Sequence, residues 1–255
     1  MRQKKIHYIY NDAMECMDFD ERKKLQGERL RATVELEYNN VPAYRKRMDE
    51  AGVKPEDING IEDIVKLPFT QKTDLRDNFP YGLFAADLKD IVRIQGSSGT
   101  TGKPIVSGYT ENDIKVWTEM VARALTAAGG TKDDIIQIAY GYGLFTGGLG
   151  AHQGATEIGA TVIPMSSGNT QRQIIMMKEL GATMLCCTPS YATYLAETIH
   201  EMGIKPEELK LKSGCFGAEP WTEEMRQHLE DLLDFDALDI YAVSYTHLRA
   251  HETAA

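Results

Sequence analysis

The chain has 255 residues, of which 42% are hydrophobic and 26% are charged, and its formal net charge is −10. This length allows one substantial hydrophobic core with at most a small appended region. Because the excess charge is negative, we expect neither nucleic acid nor an anionic membrane surface as the main partner. No apolar run approaches the roughly 18 residues of a membrane span. The basic N-terminus also leads into no apolar segment. We therefore predict a cytoplasmic protein and leave a homodimer open.

The cysteines and histidines indicate neither disulfides nor a metal site. Four cysteines, at positions 16, 186, 187 and 215, form no C-x-x-C pair. Two of them lie in the apolar run 183–188, which is typical of buried free thiols in a reduced protein. The six histidines are scattered along the chain, so we predict no bound metal among them.

Residues 1–88 are predicted to form a helical N-terminal region that packs on the domain after it. From Phe19 to Ala51, apolar residues recur at roughly helical spacing among many charges. Asn40-Val41-Pro42 predicts a break at which Asn40 caps the next helix. A short helix is predicted from 61 until Pro68, and Thr70 is predicted to cap another.

Residues 89–243 alternate between strand and helix signals. Strands are predicted near 90–95, 105–109, 135–140, 161–165, 183–188, 213–216 and 237–241. The helices between them have predicted starts at Thr110, with Asp113 completing a capping box, and at Thr170. Repeated βα units predict an α/β fold, a mainly parallel sheet with flanking helices, preceded by the helical N-terminal region. Ligands in such folds bind beyond the carboxyl ends of the strands.

The most distinctive stretch is residues 95–104, Gln-Gly-Ser-Ser-Gly-Thr-Thr-Gly-Lys-Pro. Glycines let successive N–H groups converge on an anion, while the hydroxyls and the lysine add donors and positive charge. This composition suits a polyphosphate. It is not a Walker A loop, because Ser97 stands where that pattern needs glycine and Pro104 follows the lysine. The alternative interpretation is a flexible Gly/Ser/Thr turn.

Three other predicted strand ends could contribute to a site. Residues 140–150 alternate glycines with Tyr140, Tyr142 and Phe145, which could enclose an aromatic ring. Glycines used for close helix packing, with the aromatics as core, are an equal alternative. Residues 217–220, Gly-Ala-Glu-Pro, leave room for a flat base but also form an ordinary helix start. Tyr241 could cover such a base or simply pack.

Taken together, these stretches resemble a known family. The string Ser-Ser-Gly-Thr-Thr-Gly-Lys-Pro resembles the phosphate-binding loop of the adenylate-forming superfamily. With Ala-Tyr-Gly-Tyr-Gly-Leu-Phe-Thr-Gly-Gly-Leu-Gly, Phe-Gly-Ala-Glu-Pro-Trp and Asp-Ile-Tyr, the chain resembles the phenylacetate–coenzyme A ligases from about residue 6 to 241. The resemblance implies that residues 89–243 are an incomplete ATP- and substrate-binding domain.

The resemblance also implies roles for particular residues. The ATP phosphates would be held by Ser97, Ser98, Gly99, Thr100, Thr101, Gly102 and Lys103, with Lys103 and Thr100 acting in catalysis. Adenine would be surrounded by Ala218, Glu219, Pro220 and Tyr241. The arylacetate pocket would be lined by Tyr140, Phe145 and Gly147.

The activity implied by the resemblance is the ligation of an arylacetate to coenzyme A, with ATP and Mg²⁺ required and an acyl-adenylate as intermediate. The expected partners are therefore small molecules. One alternative is a relative that adenylates something else, such as the coenzyme F390 synthetases. Another is a nucleotide-binding fragment without catalysis.

The resemblance ends just after Tyr241. The family would continue with Gly-Leu-Ser-Glu, whose glutamate is expected near magnesium, but here the sequence is Ala-Val-Ser-Tyr, with Tyr245 at that position. Residues 246–255 match nothing expected in the family. We therefore interpret residues 244–255 as a non-native tail, exclude His247 and His251 as a metal pair, and predict that the chain as written is inactive or poorly soluble.

Overall fold

The computed structural model of the protein describes residues 8–96 and 105–240. The chain divides into two compact units. Asn11–Lys115 form the first, and the described parts of Met1–Tyr10 and Val116–Ala255 form the second. The boundary falls inside one helix, Glu111–Ala127.

The first unit is mostly helical and carries one hairpin. Its elements are α1 (Asp12–Glu15), α2 (Phe19–Asn40), α3 (Pro42–Glu50), α4 (Lys72–Asp77), β1 (Ile91–Gly96) and β2 (Val106–Thr110), with 3₁₀ turns at Pro55–Asp57, Ile61–Lys66 and Leu88–Asp90. β1 and β2 are the two strands that the sequence predicts on either side of residues 97–104, and the structure pairs them antiparallel to each other. The first unit has a small buried core formed by Val34, Met48 and Ile58.

Two predicted helix caps in this unit are wrong. Asn40 is the last residue of α2, and α3 starts from Val41 without a side-chain hydrogen bond. Thr70 is not a cap either, because α4 starts after Gln71, whose N–H donates to the Asp74 carboxylate at 2.6 Å. Pro42 fixes the start of α3, and the Asp74 carboxylate fixes the start of α4. Neither Asn40 nor Thr70 therefore acts as a cap.

The second unit is built on a parallel sheet. After α5 (Glu111–Ala127) come β3 (Ile135–Ile138), α6 (Thr146–Glu157), β4 (Thr161–Ile163), α7 (Thr170–Glu179), β5 (Met184–Cys187), α8 (Pro189–Glu201), β6 (Ser213–Phe216), α9 (Glu223–Leu233) and β7 (Asp236–Asp239), with a 3₁₀ turn at Pro206–Glu208. The strand order is β4-β3-β5-β6-β7, and every pair is parallel. The predicted α/β fold is confirmed.

Both faces of this sheet are covered, as parallel sheets require. All four residues of β5 are buried, and they alternate between two apolar cores. Leu185 and Cys187 face the core formed with α7, α8 and α9. Met184 and Cys186 face the core formed with α5 and α6. The continuous apolar run 183–188 is therefore a central strand that is buried on both sides.

The starts of α5 and α7 follow local polar residues. Thr110 and Asp113 form the predicted capping box: the Thr110 N–H donates to the Asp113 carboxylate at 2.8 Å, and the Asp113 N–H donates to Thr110 Oγ1 at 3.2 Å. The cap of α7 is Asn169, not the predicted Thr170, and its side chain accepts from the Arg172 N–H. Asn169 has a φ of +49°, a conformation that asparagine tolerates better than threonine.

Asp134 links the amino ends of β3, β5 and β6 through hydrogen bonds. Its carboxylate is 3% exposed and accepts from Lys212 Nζ at 2.9 Å, Thr183 Oγ1 at 2.7 Å and the Thr131 N–H at 2.8 Å. These partners precede β6, β5 and β3. The network lies at the edge of the sheet opposite to the one where ligands are expected.

The remaining expectations on cysteines and membranes can be checked in the described residues. All four cysteines are free; three are buried, and Cys16 is exposed. Among residues 8–96 and 105–240, none of the helices combines the length and the apolar character needed to cross a bilayer.

Candidate active site

The carboxyl ends of β3 and β5 mark the point where the strand order reverses. From β3 the chain goes to β4 on one side and then crosses to β5 on the other, so the loops after β3 and β5 diverge and leave a crevice. Doubly wound sheets bind ligands at this position. The candidate site is therefore built from the loops that follow β3, β4, β5 and β6.

The loop after β3 (residues 140–145, the aromatic loop) brings together the residues expected to bind the acid. Tyr140 is half-buried, and Phe145, the N-cap residue of α6, is 52% exposed. Gly147 lies against the Tyr140 ring, since a Cβ at Gly147 would stand 3.4 Å from that ring. These three residues are neighbours along one loop and the first turn of α6.

Tyr142 belongs to the core more than to the crevice. Its hydroxyl lies 3.1 Å from His152 Nδ1 on α6, and the two rings meet edge to face. Burial raises the pKa of Tyr142 to about 12, and the nearby Cys186 thiol adds to this. The phenol therefore stays protonated and serves as a packing and hydrogen-bonding group.

The glycines of α6 allow close packing, which was the alternative interpretation of this stretch. A Cβ at Gly148 would come within 2.7 Å of the Gly141 carbonyl oxygen. A Cβ at Gly150 would meet the Trp117 ring at 2.7 Å, and one at Gly154 would meet Val121 at 2.5 Å. These glycines thus bring α6 against α5 and under the aromatic loop. Gly147 is different, since it is exposed and faces Tyr140.

The loop after β4 (residues 166–168, the serine loop) is a part of the edge that sequence reasoning missed. The Ser166 N–H donates to the Ile138 carbonyl at 3.1 Å, and Ser166 Oγ accepts from the Tyr142 N–H at 3.3 Å. Ser166 has a φ of +64°. Because the left-handed residue is a serine and not a glycine, the sequence gives no signal for its conformation.

The loop after β6 carries the residues expected around adenine. The N–H of Gly217 donates to the Cys187 carbonyl, and Trp221, 5% exposed, packs edge to face on Phe216. Between these anchors, Ala218 is exposed with a φ of +78°. Such strain in a non-glycine residue clusters at functional sites.

Glu219 contacts the neighbouring helix. One carboxylate oxygen accepts from the Ser190 N–H at 2.6 Å, at the start of α8. Thr188 Oγ1 accepts from the Tyr191 N–H at 3.4 Å and caps the same turn. The positive end of α8 is therefore already occupied by this protein's own carboxylate and hydroxyl. The charge needed for a polyphosphate has to come from elsewhere.

Several expected site residues lie outside the described residues. They are the phosphate-loop residues Ser97, Ser98, Gly99, Thr100, Thr101, Gly102 and Lys103, and also Tyr241. The expected tail with His247 and His251 lies outside as well. Within the described ranges there is no group of three or more His, Cys, Asp or Glu side chains that could hold a metal ion.

Comparison with solved structures defines the class of protein. A 2-hydroxyisobutyryl-CoA ligase in complex with 2-HIB-AMP and CoA, in the thioesterification state, matches 96% of this chain and 53% of its own chain, with a TM-score of 0.87 and 26% identity. The same ligase in the post-adenylation state with 2-HIB-AMP gives a TM-score of 0.86 at 25% identity, over 95% of this chain and 53% of its own. The fold is that of the adenylate-forming CoA ligases.

Curated sequences narrow the class. The phenylacetate-coenzyme A ligase of Pseudomonas putida is 52% identical over 233 residues, which are 91% of this chain and 53% of that protein. The enzyme of the same name from Thermus thermophilus is 48% identical over 236 residues, 92% of this chain and 53% of its own length. No family model matches the chain. The resemblance predicted from the sequence is confirmed: the chain is similar to phenylacetate–coenzyme A ligases and spans about half of their length.

Proposed function

We propose that the chain serves the ATP-dependent ligation of phenylacetate, or a closely related arylacetate, to coenzyme A. The observation that carries the proposal is the identity of about half of all residues with phenylacetate-coenzyme A ligases over nine-tenths of the chain. The complexes of the similar CoA ligase with an acyl-AMP and CoA support an acyl-adenylate route. The partners in this proposal are small molecules in the cytoplasm, bound by the domain of residues 89–243.

The proposed reaction has two displacements. The carboxylate oxygen of the acid attacks the α-phosphorus of ATP, and pyrophosphate leaves with the electron pair of the broken P–O bond. The thiol of coenzyme A then attacks the acyl carbon of the mixed anhydride, loses its proton and expels AMP. Neither step needs a protein nucleophile, so the task of the protein is to position groups and to stabilise developing charge.

The residue roles in this proposal are those that the resemblance implies. Tyr140, Phe145 and Gly147 line the pocket for the aromatic ring, where flat side chains favour offset and edge contacts. Ala218, Glu219, Pro220 and Tyr241 surround adenine. The phosphates are held by Ser97–Lys103, with Lys103 and Thr100 offsetting the charge on the departing pyrophosphate. In this proposal Mg²⁺ accompanies ATP as its counter-ion and offsets negative charge on the phosphates.

The test is ATP–pyrophosphate exchange by the purified chain, which measures the first step alone. Exchange that depends on phenylacetate would support the proposal and overturn the prediction that the chain as written is inactive. A panel with hydroxyphenylacetate, indoleacetate and acetate then defines the acid. Lys103→Ala is expected to lower exchange by about 100-fold. The control Lys89→Ala removes a lysine that is 76% exposed and paired with Asp87 at the surface, so it should change nothing.

Two results would contradict this proposal in different ways. Exchange with no arylacetate dependence would indicate a relative that adenylates another acceptor. ATP binding without any exchange would indicate that this chain binds a nucleotide and does not catalyse.

A further inference from the structure

Two fully buried glutamines lie beneath the candidate site. Gln137 on β3 and Gln173 on α7 are both 0% exposed. Gln137 Nε2 donates to Gln173 Oε1 at 2.8 Å and to the Gln173 carbonyl at 3.2 Å. The pair ties a helix to the central part of the sheet inside an otherwise apolar core.

The second amide reaches from this core to the serine loop. Gln173 Nε2 donates to the Ser166 carbonyl at 2.6 Å and to the Gly168 carbonyl at 3.3 Å. The serine loop has an unfavourable backbone at Ser166, whose φ is +64°, whereas the φ of +87° at Gly168 is one that glycine adopts readily. A left-handed conformation costs a non-glycine residue about 1 kcal/mol, so it persists only where contacts hold it.

The serine loop in turn holds the aromatic loop. Ser166 donates its N–H to Ile138 and accepts from the N–H of Tyr142, and these two residues lie two positions before and two positions after Tyr140. The hydrogen bonds thus run from Gln173 through Ser166 to both sides of Tyr140. Gln173 itself is too deeply buried to contact a ligand.

The arrangement leaves one polar atom unsatisfied. Gln137 Oε1 is buried and has no hydrogen-bond partner among the described residues. Such a group costs stability that an apolar pair of similar shape would avoid. Two apolar side chains would fill this space without the loss, but they would leave the serine loop without its donors.

We propose that Gln173 is a positioning residue that fixes the aromatic loop through Ser166. Its link to acid binding rests on the proposed function, whereas its effect on the loop does not. Gln173→Met keeps the length of the side chain and removes both donors. The double variant Gln137→Met/Gln173→Met also removes the unsatisfied oxygen.

Amide hydrogen exchange on the full chain tests the effect on the loop. In Gln173→Met, exchange at the Tyr142 and Ser166 amides should rise at least tenfold relative to the amides of β6. The double variant should show the same local rise with a melting temperature at or above that of Gln173→Met. Asp134→Asn is the matched control: it weakens a buried polar network at the opposite edge and should raise exchange without selecting these two amides. Unchanged exchange at both amides, or an equal rise across the whole sheet, would overturn the proposal.

Calorimetric binding of phenylacetate and of Mg·ATP tests the consequence for the site. We expect Gln173→Met to weaken phenylacetate binding about tenfold and to leave Mg·ATP binding unchanged. An equal loss of both would mean a merely structural role and would count against the proposal. If the unaltered chain binds no phenylacetate, the proposed function fails, and the exchange measurement alone decides on the positioning role.

Discussion

Asp134 is a buried residue whose ionisation stabilises the fold of the second unit. Burial alone raises the pKa of Asp134, but the hydrogen bonds from Lys212, Thr183 and Thr131 outweigh burial and lower it below the ordinary value of 3.8. A lowered pKa in the folded state means that the ionised form stabilises the fold. This contribution is fully present above the unfolded value and is lost as the pH falls through the folded value.

We therefore predict that Asp134→Asn lowers the free energy of unfolding at pH 7 by about 2–4 kcal/mol, because buried donors then face an amide. Urea unfolding at pH 7 and near pH 3 measures this, and the difference between variant and parent should shrink in acid. Lys212→Met removes only a partner that is 65% exposed, so it should cost less than about 1 kcal/mol. If the difference in free energy of unfolding between Asp134→Asn and the parent does not change with pH, the lowered pKa of Asp134 is contradicted.

At Glu219 the prediction concerns one hydrogen bond. Glu219→Ala leaves the Ser190 N–H at the start of α8 without its acceptor and should cost about 1 kcal/mol, as other lost N-terminal acceptors do. Glu219→Gln keeps an oxygen in place and should cost less than half of that. Thermal unfolding of the two variants compares them directly. An equal loss in both would mean that the hydrogen bond is not what stabilises the turn.

At the scale of elements, the glycines of α6 divide into two kinds. A methyl group at Gly150 would run into the Trp117 ring, so Gly150→Ala should destabilise the chain by about 1–3 kcal/mol. In Gly147→Ala the added methyl group makes only ordinary van der Waals contact with Tyr140. The variant also removes a flexible residue from a helix, so its free energy of unfolding should stay the same or rise slightly. Chemical unfolding tests stability. Phenylacetate binding should fall in Gly147→Ala, because the added methyl group narrows the proposed pocket.

Elements were predictable from sequence where local patterns decide them. The β5 segment is a continuous apolar run, and the Thr110–Asp113 box is complete within four residues, so both were predicted correctly. Helix caps failed where several polar residues compete, as at Asn169 and Thr170, because the backbone conformation chooses between them. The contacts from Gln173 to Ser166 and from Glu219 to Ser190 depend on strand order, which the sequence does not reveal.

For the whole molecule, thiol reactivity separates the surface from the core. Burial raises the pKa of Cys186 and of Cys187, and it raises that of Cys215 to about 12, so these three thiols react only when the sheet opens. A hydrogen bond with Asp12 raises the pKa of Cys16 as well, but this thiol is exposed. We predict that the native chain reacts with one equivalent of Ellman's reagent, at Cys16, faster than at the buried thiols, and that the unfolded chain reacts with four. Cys16→Ser should remove the fast phase. A second fast thiol in the native chain would contradict the packing described for β5 and β6.

The strand order also determines when the sheet can close during folding. β3 and β4 pair across 26 residues, between Ile135 and Thr161, whereas β3 reaches β5 across 48 residues, between Ile136 and Met184. Parallel pairings at such separations form slowly, because the ends of a long segment must meet before any contact rewards them. During synthesis, β5 has no second neighbour until Ser213–Phe216 has left the ribosome. Until then the nascent chain presents an apolar strand with an open edge, and we expect chaperones to bind it during this interval.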